Sequence, residues 1–318
     1  MIPVAVVSTR GSYRISLFLF FLTVSSVSYG QTEKSNVLPA TATLESLSSA
    51  LKDPDFSVRM QAAGALKRIG KSAVVLLISS LTDANANARG MSAYALGEIQ
   101  DDRAVGPLIA TLNDTDKYVR QYTVQALAKI KGTQVVEPLI GILKDDADFV
   151  RQDVAEALGK IKDPRAIQPL MAGMRDSPES SEFRRIASDA LLSIGETAVD
   201  PLLESLKDQD WQVRRNAALV LGRIKNVRAV EALLKGLREH DPGILVGAHR
   251  FFIERAEPGS EDALIQGLND KGDLEMAVDL LNCGNSVLEI AASKWAFARN
   301  YKIAFSQGGS SVHWGGGR

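Results

Sequence analysis

One pattern returns at a nearly constant interval along most of this 318-residue chain. A Leu or Met standing two residues before an acid occurs at Leu51, Leu81, Leu112, Leu143, Met174, Leu206, Leu237 and Leu268, with spacings of 30, 31, 31, 31, 32, 31 and 31. An arginine follows eight residues later at Arg59, Arg89, Arg120, Arg151 and Arg214, and ten later at Arg184, where Ser177 to Glu182 lengthen the turn. Ten residues beyond each arginine stands Ile69, Ile99, Ile130, Ile161, Ile194 or Ile224. A Pro or Ala precedes a leucine at Pro107, Pro138, Pro169, Pro201, Ala232 and Ala263. Self-similarity of this period is the signature of a repeat architecture, in which a unit buries its apolar faces only against its neighbours.

Inside a unit the period is helical. Val105, Leu108, Ile109 and Leu112 form one apolar face, and Val213, Ala217, Leu221 and Ile224 form another. Asp102 and Asp163 are placed to cap first helices, with Pro164 at the first helical position, and Asp55, Asp116 and Asp210 to cap second helices. The expected fold is all-α: an α-solenoid of about eight helical hairpins over residues 40–282, closed by a small cap and tail at 283–318. The low aromatic content, 6 %, argues against a large β-sandwich or barrel core, and one cysteine excludes a disulfide framework and a cysteine-based zinc finger. Repeats seven and eight drift, with Leu245 in the arginine position, as terminal repeats do. After Cys283-Gly284-Asn285 a last helix is expected with Leu288, Ala291, Ala292 and Trp295 on one face; Tyr301 to Phe305 reads as a short strand that could enter a hairpin, or as a disordered end.

The run L-x-D…V-R…A-L-G-x-I, as in Leu143-Lys144-Asp145…Val150-Arg151…Ala157-Leu158-Gly159-Lys160-Ile161, resembles the HEAT-like repeats first named in phycobilisome bilin lyases. The resemblance spans about residues 40 to 270 and implies the fold, whereas function must be argued from a site. That family includes an iron hydroxylase holding its metals with His-Glu pairs. The three histidines here, His240, His249 and His313, precede Asp241, Arg250 and Trp314, so the resemblance does not carry a metal site onto this chain. No cofactor or metal ligand set and no catalytic constellation is expected: Cys283 has no histidine near it in sequence and reads as a buried, inert thiol, and His249 as a packed or surface side chain. The in-phase arginines read as an interior ion-pair ladder with the acid that precedes each, in preference to an anion-binding ladder.

Before residue 31, Arg10 and Arg14 flank the apolar run Ile15 to Val24, followed by small residues to Ser28-Tyr29-Gly30. This pattern predicts a secretory signal peptide over 1–30 cleaved near Gly30, then a short linker at 31–39; an uncleaved anchor is the alternative. The run is about half the roughly 20 residues a membrane span needs. The expected location is extracytoplasmic, periplasmic or secreted.

Thirty-seven basic residues against 38 acidic ones give no electrostatic support for nucleic-acid binding. The expected partner is a protein or peptide on the concave face, where second helices of such solenoids lie. Counted from the arginine, the positions at +1, +2, +5 and +9 vary between repeats; +1, +5 and +9 lie about one helical turn apart and form a stripe, with +2 beside it. They include Met60, Gln61 and Arg68; Met91, Tyr94 and Glu98; Gln121, Tyr122, Gln125 and Lys129; Gln152, Asp153, Glu156 and Lys160; Arg185, Asp189 and Ser193; Arg215, Asn216 and Arg223. The function expected is that of an exported, non-enzymatic scaffold or adaptor. The alternatives are a chaperone-lyase-like subunit or hydroxylase-like enzyme of the resembling family, and a structural spacer in an envelope complex.

Overall fold

The structure, a computed structural model, describes residues 42–301 apart from 131, 177–181 and 225. The expected signal peptide, linker and C-terminal hairpin lie outside the described residues. Six helical hairpins follow one another: α1 (Leu44–Ala50) with α2 (Phe56–Ile69), α3 (Val74–Ser80) with α4 (Ala86–Ile99), α5 (Val105–Thr111) with α6 (Lys117–Ile130), α7 (Val136–Gly141) with α8 (Asp148–Ile161), α9 (Ile167–Asp176) with α10 (Glu182–Ile194), and α11 (Val199–Ser205) with α12 (Trp211–Leu221). The seventh unit is α13 (Val227–Arg238) with a second helix broken into α14 (Pro242–Gly247) and α15 (His249–Arg255) at Ala248. Then come α16 (Ser260–Lys271), α17 (Leu274–Leu281) and the capping helix α18 (Ser286–Ala298). The fold is an all-α solenoid, and no strand occurs among the described residues.

Many of the units begin where a polar side chain satisfies a backbone N–H that the helix leaves unpaired. Asp55 accepts from Ser57 N at 2.8 Å, Asp116 from Tyr118 N at 2.8 Å and Asp210 from Gln212 N at 2.9 Å. Asp163 caps its unit with Pro164 just inside, as expected. In the third unit the cap is Asp101 rather than Asp102, because the first helix opens with a short 3-10 turn one residue earlier. Arg103 also grips Asp101 and donates to the Lys71 carbonyl of the preceding unit at 3.0 Å, and this guanidinium holds the Asp101 carboxyl at about 2.

A single apolar core runs the length of the array from Leu47 to Ala296, built of Leu, Ala and Val with few rings. Second helices pack on each other extensively, while successive first helices touch sparsely. Glycine sets the spacing: a Cβ built on Gly97 would come 2.5 Å from the Ala126 Cα, and one on Gly159 would come 2.7 Å from the Ala190 Cα.

The arginine ladder forms, with a different partner from the one expected. The preceding acid contributes only its main-chain carbonyl, as in Arg120 Nη1 to Asp114 O at 2.9 Å. The carboxylate comes from the following unit: Arg89 pairs with Asp114 and Arg120 with Asp145, each through Nε and Nη2 at 2.6 and 2.8 Å. Arg214 reaches Asp241 at 2.8 Å. These pairs are half-buried or buried, and they clamp adjacent units together at the hairpin loops.

Candidate partner-binding surface

The second helices carry the varied positions, and the side chains there reach from one repeat to the next. Glu98 on α4 sits between Lys67 of α2 and Lys129 of α6, pairing with both. The hydrogen bonds from Lys129 and Lys67 hold the Glu98 carboxyl below the usual carboxylate range. The Lys129 ammonium also lies over the Tyr94 ring, 5.3 Å from its centroid, within cation–π range. Tyr94 meets Tyr122 edge-on at 6.2 Å. The Tyr122 ring leans back onto α4, where a Cβ at Gly90 would stand 3.1 Å from it, and burial pushes the Tyr122 phenol up.

One unit further, the same +2 position carries Asp153, which leans back onto α6 in the same way. It accepts from Gln121 at 3.0 Å and from Gln125 at 2.7 Å. Burial pushes its carboxyl above the ordinary range against these two amides, and among the described residues no Lys or Arg forms an ion pair with it. Glu156 and Lys160 pair along α8 at 2.6 Å. On α10, Arg185 holds Glu182 and Asp189 at 2.5 and 3.0 Å. Arg223 reaches back from the sixth unit to Asp189 at 2.8 Å and Ser188 at 3.2 Å.

Gln61, Arg68, Lys129, Glu156, Lys160, Arg185, Ser193 and Arg223 are exposed; Met60, Tyr94, Glu98, Gln121, Tyr122, Gln125, Gln152, Asp153 and Asp189 are half-buried. Three expected members leave the surface. Met91, Arg215 and Asn216 are 2 %, 7 % and 1 % exposed, because the +1 and +2 positions border the next helix and are covered wherever that helix approaches closely. Arg215 pairs with Asp273 across two units, and its main-chain oxygen lies under Gly247 of α14, where an added Cβ would stand 2.1 Å away. Lys67, outside the varied positions, is also exposed here; the signal was a lysine standing where two other units have Gly97 and Gly159.

Groups capable of chemistry lie elsewhere. His249 is buried, with Nδ1 2.7 Å from the Val246 carbonyl oxygen and Nε2 2.9 Å from Asp279. Cys283 is buried, its thiol directed at the Leu280 carbonyl at 3.2 Å, and burial pushes the thiol up. Among the described residues no group of three or more His, Cys, Asp or Glu side chains comes together to hold a metal, and no helix is long and apolar enough to cross a membrane.

Solved structures similar to this chain include the complex of CpcE and CpcF of the phycocyanin lyase from Nostoc sp. PCC7120, at 26 % identity over 77 % of this chain and 98 % of that one, with a TM-score of 0.41. Human deoxyhypusine hydroxylase in complex with glycerol matches at 23 % identity over 80 % and 94 %, TM-score 0.34. A designed armadillo repeat protein in complex with the peptide (KR)4 matches at 17 % identity over 81 % and 100 %, TM-score 0.29. No curated protein sequence matches the chain. The profile of HEAT repeats matches residues 44–113, 105–191 and 177–248. With more than half its length so matched, the chain belongs to the HEAT repeat family.

Proposed function

We propose that this chain is a non-enzymatic scaffold that takes a protein or peptide partner along its second-helix surface. The observation that carries the reading is the continuity of that surface: side chains that differ from repeat to repeat, from Gln61 to Arg223, stand on one side of six successive second helices. Tyrosine faces, glutamine amides and arginines are the groups enriched where proteins meet. The basic flank and apolar run before Gly30 support export, with the mature chain acting outside the cytoplasm.

The test is affinity capture from extracytoplasmic extract by the mature chain, beside a variant carrying Tyr94→Ala, Tyr122→Ala, Arg185→Ala and Arg223→Ala. A partner retained by the native chain and lost by the variant, with helical content unchanged, is the expected result. Equal capture by both moves the site off this surface. Fractionation of the source cells, with mass measurement of the mature N-terminus, checks export and cleavage separately.

A further inference from the structure

Among the described residues the ladder of arginines is open at two rungs: Arg59, whose register carboxylate Asp83 is taken by Lys52, and Arg151. In the fourth unit Arg151 occupies the ladder position, and its Nη1 donates to the Asp145 carbonyl at 2.6 Å, as its counterparts do to their own loops. The guanidinium is therefore held where the others are. The carboxylate that the register supplies is Asp176, in the unit whose arginine comes ten residues on instead of eight. Arg151 and Asp176 do not pair. Arg151 Nη2 turns to Asp148, three residues back on its own helix and 78 % exposed, while Nε has no partner among the described residues. Asp176 is taken by Arg175 at 3.0 Å.

A cleft of about 410 Å³ opens at this rung, lined by both Arg151 and Asp176. Its walls are apolar, with Ile140 and Leu143 from the fourth unit and Ala172 and Phe183 from the fifth. Lys144 lies in the same lining, so the cleft holds two cations and one carboxylate; Asp176 is engaged by Arg175, and Arg151 meets a carboxylate only through Nη2, at the exposed Asp148. The volume falls in the range of small-molecule sites, which are mostly apolar with a few placed polar groups.

We propose that this cleft is a binding site for a small amphipathic carboxylate, whose apolar body fills the cleft and whose carboxylate takes the Nε–Nη2 edge of Arg151. The protein itself supplies the template: that same edge grips Asp114 on Arg89 and Asp145 on Arg120 with two hydrogen bonds each. A paired guanidinium and carboxylate form charge-assisted, directional bonds, and the apolar walls favour the acid that brings a hydrocarbon with it. The site shares no residue with the second-helix surface, so it stands or falls apart from the scaffold reading.

Calorimetric titration of the chain with octanoate and with octanol, below micelle formation, tests the proposal. Octanoate should saturate at one per chain and bind about tenfold tighter than octanol, since the two differ only in the headgroup. Arg151→Gln should bring octanoate to the level of octanol. Gly141→Leu should abolish both, because position 141 lines the cleft and a Cβ there meets nothing within 4 Å, which leaves the added side chain free to fill it. Asp176→Asn, an exposed change, should tighten octanoate by removing a like charge, which keeps the test decisive if Arg151→Gln loses helical content. Absence of saturable octanoate binding, equal affinity for acid and alcohol, or indifference to Gly141→Leu overturns the proposal.

Discussion

Gly97 on α4 lies so close to Ala126 on α6 that a Cβ at position 97 would stand 2.5 Å from the Ala126 Cα. The main chains of two successive second helices meet there without an intervening side chain. Alanine is ordinarily about 1 kcal/mol better than glycine inside a helix. At Gly97 the packing conflict outweighs that gain, since overfilling a packed interface costs about 1–3 kcal/mol. Gly97→Ala and Gly159→Ala should therefore lower the urea midpoint, whereas Gly141→Ala, with open space around it, should raise it or leave it unchanged. Equal midpoints for Gly97→Ala and Gly141→Ala would show that the helices can separate at no cost.

Arg120→Met should destabilise far more than Arg185→Met. Arg120 is buried and paired with Asp145, which would be left as an uncompensated carboxylate; loss of one partner of such a pair costs about 3–5 kcal/mol. Arg185 and its partners Glu182 and Asp189 are exposed or half-buried on one helix, where pairs contribute about 0–1 kcal/mol. Thermal unfolding of both variants in low and high salt checks this, and only the Arg185 change should vanish in salt.

Asp279 and Asp153 should tilt the pH dependence of stability in opposite directions. Burial pushes the Asp279 carboxyl up, but the hydrogen bond and charge of His249 and the Arg250 guanidinium outweigh it and hold the group low. Its stabilisation is present above the unfolded value near 3.9 and is lost as pH falls through the lower folded value. Asp279→Asn should therefore destabilise at neutral pH and weaken the acid-induced loss of stability. Burial pushes Asp153 up, so ionised Asp153 opposes folding above its folded value, and that cost is relieved as pH falls from there towards about 3.9. Asp153→Asn should be neutral or stabilising at pH 7. Denaturant midpoints measured from acid to neutral pH for both variants read the two slopes, and slopes of the same sign would refute the assignment.

Glu98→Gln should change stability by less than about 1 kcal/mol, because Lys67 and Lys129 are largely exposed. The same change releases Lys129 from its place above Tyr94, so partner capture should respond while the unfolding midpoint does not. A parallel loss of both would make Glu98 a structural residue only.

The hairpin units, their number, their caps and the drift of the last repeats were legible in the chain itself. Those features arise from local rules: helical period, the unpaired N–H groups at a helix start that Asp55 and Asp163 satisfy, and a repeat that hides its leucines only against a copy of itself. Asp101 displaced Asp102 as a cap because a three-residue 3-10 turn opens the unit one residue early, a difference within the reach of local sequence but below its resolution. What lies between units followed other rules. Whether a +1 or +2 side chain is exposed depends on how near the next helix comes, and that distance is set by glycines in two different repeats; hence Met91, Arg215 and Asn216 are inside while Gln121 and Arg185 are at the surface. The ladder arginines choose carboxylates a whole unit away, and Arg151 does not reach the one its register supplies, so the cleft beside it exists only once the hairpins are stacked.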